Sequence, residues 1–166
     1  RIRRFGRFEG TLVGYVHGGG RIGVLVKFNL GDASKAETEE FKTYAKDVAM
    51  QVAAAYPRYT RREDVPAEVL DKEKEILTAQ AVNEGKPAAI AEKMVAGRIQ
   101  KYYKEFCLGD QPFVKDPDKS VTAYTKEVAS ALGTTIEIVD YIRLEKGEGL
   151  EKKEENFADE VASMMK

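Results

Sequence analysis

Between two β-branched and aromatic stretches, "TLVGYV" (11–16) and "RIGVLVKF" (21–28), the chain carries the three glycines of "HGGG". No other feature restricts the fold as much. Val, Ile, Thr and Tyr favour extended chain, and consecutive glycines accept the positive φ angles that a tight reversal needs. The spacing therefore predicts a β-hairpin with His17 at its tip. "GGGRIG" also matches the G-x-G-x-x-G fingerprint of dinucleotide-binding loops. Such a loop must follow a strand and open a helix, whose N-terminal N–H groups meet the pyrophosphate. Here "VLVKF" follows, a strand, so the glycines read as a turn. "HGGG" matches the oxyanion loop of esterases as well, but the G-x-S-x-G nucleophile elbow is missing from the sequence.

Downstream, helical periodicity takes over. Phe41, Tyr44, Ala45, Val48, Val52 and Tyr56 recur at three- and four-residue steps, ended by Pro57. From Pro66 to Glu84 a thin stripe of Val69, Glu73, Ile76, Leu77 and Gln80 marks a charged helix. After "NEGKP", residues 87–107 form another, with Ile90, Met94, Ile99, Tyr102, Tyr103 and Phe106. So short a connection makes the two pack antiparallel, as a protruding helical hairpin with a narrow seam. "LGDQPFVKDPDKS" reads as a loop, "VTAYTKEVASALG" as a helix capped by Ser120 and closed by Gly133, and "TTIEIVDYIRLE" as a strand. "RIRRFGRFE" alternates like a strand, and the final twenty residues read as a linker and a short helix with Phe157, Val161 and Met164 on one face. Strands flanking a helical middle predict an α+β fold: a small antiparallel sheet with helices packed on one face, plus the helical hairpin.

"RRFGRFEG" (3–10) echoes "VDYIRLEK" (139–146) in register. Read as a repeat, the echo makes residues 1–10 the closing strand of an upstream subdomain. Residues 11–60 and 108–146 then form the core subdomain, 61–107 the helical-hairpin insertion, and 147–166 a linker with a C-terminal docking helix.

Chemistry-bearing constellations are sparse. One His and one Cys among 166 residues leave no zinc cluster, and Cys107 at a helix end reads as a small buried hydrophobe. Paired carboxylates sit on charged helical faces. No catalytic residue, metal site or cofactor site is expected, so the chain reads as a binding module rather than an enzyme. A formal net charge of −1 argues against direct nucleic-acid binding, and no apolar run reaches the ~20 residues of a membrane span. The candidate partner-binding residues are His17 at the hairpin tip, Gln111, Pro112, Phe113, Val114 and Lys115 of "QPFVK", and Phe157 and Val161 of the terminal helix.

"GYVHGGGRIGVLVKFN", "AKDVAMQVAA", "PRYTRREDVPAEVLDKEKEI", "NEGKPAAIAEKMVAGRIQKYYKE", "QPFVKDPDKSV" and "EGLEKKEENFADEVA" resemble elongation factor Ts over essentially the whole chain. The resemblance implies a guanine nucleotide exchange factor for elongation factor Tu, housed in bacterial cytoplasm or in the chloroplast stroma. It implies that His17 and Val114–Lys115 contact domain 3 of that GTPase, and that the helix around Phe157 and Val161 reaches its GTP-binding domain. It also implies that the helical hairpin can support a homodimer. Two departures stand out. The family's N-terminal helical domain has no counterpart here. The Thr-Asp-Phe-Val-Ala motif, whose Asp-Phe pair intrudes beside the partner's magnesium site, is replaced: Ala33 and Ser34 stand at the Asp and Phe places. The resemblance thus implies the anchoring C-terminal part of such a factor. The alternative is an interaction domain that keeps the fold without exchange.

Overall fold

The computed structural model describes residues 2–150. Phe157 and Val161, and most of the linker and helix expected over 147–166, lie outside the described residues. β1 (Thr11–His17) and β2 (Ile22–Leu30) pair antiparallel from Thr11 opposite Phe28 to His17 opposite Ile22. Gly18, Gly19 and Gly20 join them with φ of 59°, 62° and 93°. An L side chain at each of three successive left-handed positions would be costly, which is why this reversal uses glycines. β5 (Ile136–Glu145) pairs antiparallel with the other edge of β2, with Val139 of β5 bulged out where the register shifts opposite Lys27 and Phe28. Among the described residues the sheet runs β1-β2-β5, so its strands come from both sides of the helical middle.

Pleating sends Val24, Val26 and Phe28 to one face, and α1 (Glu39–Ala55) covers them with Phe41, Tyr44, Val48 and Val52. Thr38 caps α1 by accepting the Phe41 N–H, and Glu39 and Glu40 complement the dipole in its first turn. α4 (Val121–Leu132), capped by Ser120 and closed by Gly133, adds Val121 to the same core. Burying each of these large apolar side chains contributes about 1.5–3 kcal/mol, so this sandwich of sheet and two helices dominates the stability. The expected α+β arrangement is the one observed.

α2 (Ala67–Asn83) and α3 (Ala88–Phe106) form the helical hairpin, linked across by the Arg98 guanidinium on Gln80 Oε1 at 2.7 Å. Near its tip the helices meet through buried Ala81 and Ala91, small residues that allow close approach. At its base, Val65, Tyr102 and Cys107 form a second cluster with Tyr59, Val69, Leu70, Tyr103 and Phe106. Ile76, assigned by its spacing to the seam, is instead 53% exposed.

Two expectations are corrected. Residues 2–9 form no strand, because nothing among the described residues pairs with them. Instead the segment is largely exposed, with Gly6 set against the Ile142 side chain, whose tip would have to shift to admit a Cβ. Arg4 and Arg3 reach Glu148 beside it. Within this chain residues 2–9 thus share the sequence of 139–146 but not its pairing. Nor is the proline-containing segment after α3 a plain loop: β3 (Pro112–Phe113) and β4 (Asp116–Ser120) pair antiparallel around a Val114–Lys115 turn. Pro112 is tolerated because such a short, exposed strand leaves its missing N–H without consequence.

Candidate functional site

"QPFVK" alternates in and out. Gln111 and Phe113 are only 3% and 4% exposed, whereas Pro112, Val114 and Lys115 face outward, Val114 at 44%. Of the five residues expected to meet a partner, Gln111 and Phe113 have side chains occupied internally in this chain. Phe113 stacks on Tyr124 of α4, with centroids 4.5 Å apart and planes 15° from parallel. Gln111 Nε2 donates to the Glu105 carbonyl at 2.8 Å, tying the small hairpin to the end of α3.

α1 supplies two residues that sequence reasoning passed over. Gln51, fully buried, accepts the Val114 N–H on Oε1 at 2.8 Å and donates through Nε2 to the Pro112 carbonyl and Gln111 Oε1. Asp47, also buried, receives Lys115 Nζ at 2.6 Å and the Tyr124 hydroxyl at 3.1 Å. Burial and the neighbouring Asp47 carboxylate push the Tyr124 phenol up to about 12, so it stays a neutral donor at all physiological pH values. A buried carboxylate stripped of its cation would be costly, which ties the Lys115 ammonium to Asp47 while the rest of that side chain stays half-exposed. Val114, the apolar turn residue, is left as the group offered to solvent. The missed signal was available: Tyr44, Asp47 and Gln51 follow each other at helical steps beside the apolar stripe, two polar residues where a solvent face had not yet begun.

His17 ends β1, exposed, with its Nδ1 3.0 Å from the Tyr15 hydroxyl. Its polar contact is to its own strand and not to the 111–115 turn. Neighbouring Val16 is 70% exposed, so this end of the hairpin also offers apolar surface. Where the exchange wedge was expected to be missing, Asp32 accepts the Ser34 N–H and hydroxyl to cap a short helical turn over Ala33–Glu37. Ala33 and Ser34 are exposed and small. Cys107 is fully buried, and desolvation raises its thiol to about 11, the condition of an inert core residue. Among the described residues no three His, Cys, Asp or Glu side chains gather where a metal could sit, and no helix is long and apolar enough to cross a membrane.

The profile of the family described as Elongation factor TS matches residues 1–148. The chain belongs to the elongation factor Ts family. Its relatives include the Elongation factor Ts of Carboxydothermus hydrogenoformans, 57% identical over 158 residues, a match spanning 95% of this chain and 73% of the relative. That of Acetivibrio thermocellus is 55% identical over 153 residues, spanning 92% and 71%. That of Clostridium kluyveri is 54% identical over 163 residues, but the match fills only 52% of it. Elongation factor Ts chains thus carry differing amounts of sequence beyond this stretch. The family assignment makes this chain a translation elongation factor whose described residues offer shaped surfaces and no reactive cluster.

Proposed function

We propose that this chain binds elongation factor Tu and is the anchoring part of a guanine nucleotide exchange factor for it. Val114 at the β3–β4 turn and His17 at the β1–β2 tip are the proposed contacts, with Pro112 and Lys115 flanking Val114. The observation that carries the reading is the turn itself: an apolar residue held outward by a buried polar clamp, the form of an interface anchor. Phe157 and Val161 remain proposed contacts of the terminal segment. The bacterial sources of the relatives favour a bacterial cytoplasm over a chloroplast stroma.

Exchange requires tighter binding to the nucleotide-free partner than to its GDP form, since equal affinity for the two shifts nothing. With Ala33 and Ser34 where the family carries its intruding Asp-Phe pair, this chain supplies affinity more than discrimination. Release of a fluorescent GDP analogue from elongation factor Tu, with and without saturating chain, tests this. Feeble acceleration is expected, and a rate matching an intact factor contradicts it. Should the chain bind no elongation factor Tu at all, the reading as an interaction domain with some other role replaces this one.

The helical hairpin supports a further contact, to a second copy of the chain. Ile76, Val82 and Ile90 are exposed, and a groove of about 570 Å³ between α2 and α3 is lined by Val82, Ala91, Val95 and Ile99. Sedimentation at rising concentration reads the outcome: a dimer dispersed by Ile90→Lys supports this contact, and a monomer throughout excludes it.

A further inference from the structure

We propose that Gln51 and Asp47 are positioning residues: through them α1 fixes where Val114 stands before any partner arrives. The inference rests on the docking role proposed above for Val114 and deepens it.

The β3–β4 ladder is too small to hold its own turn. β3 has two residues, and the register shifts between Pro112 and Phe113. Two-stranded hairpins of far greater length are only marginally stable in water. Gln51 makes up the deficit with its side-chain amide. Its oxygen takes the Val114 N–H and its nitrogen gives to the Pro112 carbonyl, so the amide imitates one rung of a neighbouring strand. Its second N–H goes to Gln111 Oε1, which leaves no donor of the amide idle. Asp47 holds the other half of the turn by binding Lys115 Nζ, and the same carboxylate takes the Tyr124 hydroxyl that stands beside Phe113. Each neighbour of Val114 is thereby tied to α1 or α4, while the Val114 side chain itself is free. A contact residue held in its bound geometry avoids the ordering cost of association, so such a clamp raises affinity without touching the partner.

The test is a double-mutant cycle on the full 166-residue chain, with binding to a bacterial elongation factor Tu measured by calorimetry. Gln51→Met keeps the volume and removes the amide. Val114→Ala is expected to weaken binding about tenfold, the loss typical of a truncated interface anchor. Gln51→Met should weaken it about fivefold in the wild-type background and less than about twofold in the Val114→Ala background, since it acts through Val114. The Val114 amide should exchange its hydrogen faster in Gln51→Met while core amides of α1 keep their protection. Equal losses in both backgrounds, or unchanged affinity and exchange, overturn the inference alone. Unchanged binding in Val114→Ala overturns the docking reading and this inference with it. If Gln51→Met does not fold, Asp47→Asn, which keeps the shape and releases Lys115, takes its place in the same cycle with the same criteria.

Discussion

Phe113 lies flat against Tyr124, its ring parallel to within 15°, and this contact makes it a core residue of the α1–α4 layer although its neighbours on both sides face water. Phe113→Ala is therefore expected to lower stability by about 3–5 kcal/mol, the range for emptying a buried aromatic site. Urea denaturation followed by circular dichroism checks it. Phe113→Leu, which refills most of the space, should recover more than half of the loss. A destabilisation below 1 kcal/mol for Phe113→Ala would place the ring outside the core.

Cys107 closes α3 inside the cluster formed by Val65 and Tyr102. With its thiol raised to about 11, chiefly by burial and further by Asp110, both access and thiolate content are low at pH 8. Iodoacetamide should leave the native chain unmodified at pH 8 and label it stoichiometrically in urea. Labelling of the native chain at the rate of a free cysteine would mean that the base of the helical hairpin opens readily.

Glu148 joins the two ends of the described chain: its carboxylate accepts the Tyr56 hydroxyl at 2.6 Å and the Arg4 guanidinium at 2.7 Å. These partners hold the carboxyl down to about 2, against 4.5 ordinarily. A depressed folded-state value stabilises above the unfolded one, and that contribution fades as pH falls from about 4.5 towards 2. The chain should therefore exceed Glu148→Gln in stability at pH 6, with the difference closing over that acid window. Being solvent-facing, the pair is screened, and the difference should shrink in 1 M salt. Thermal unfolding of both proteins across pH gives the answer, and a difference that persists unchanged at pH 2 would contradict the assignment.

What the sequence made legible, and what it hid, follows from the range of the interactions. The Gly18–Gly20 reversal, the Ser120 cap, the Gly133 stop and the stripe of α1 are local, so their residues carry their own signature. Residues 2–9 carry no strand within this chain, because alternation of Ile2, Arg4 and Phe8 with Arg3 and Phe5 describes a shape, while a strand needs a partner, and the expected one belongs to an upstream subdomain. The small β3–β4 hairpin reads as a loop in the sequence because its hydrogen bonding is completed from Gln51, sixty residues earlier than Gln111. The candidate site divided in the same way. That "QPFVK" mattered was visible in its composition and in the resemblance, but which of its residues face outward depends on Asp47, Gln51 and Tyr124, none of them neighbours in sequence.

Titration of this chain into nucleotide-free elongation factor Tu, followed by calorimetry, tests the central claim most directly. A complex at micromolar concentration or tighter is predicted, weakened about tenfold by Val114→Ala and measurably by His17→Ala. No heat of binding at micromolar protein, or a complex indifferent to both substitutions, would contradict it.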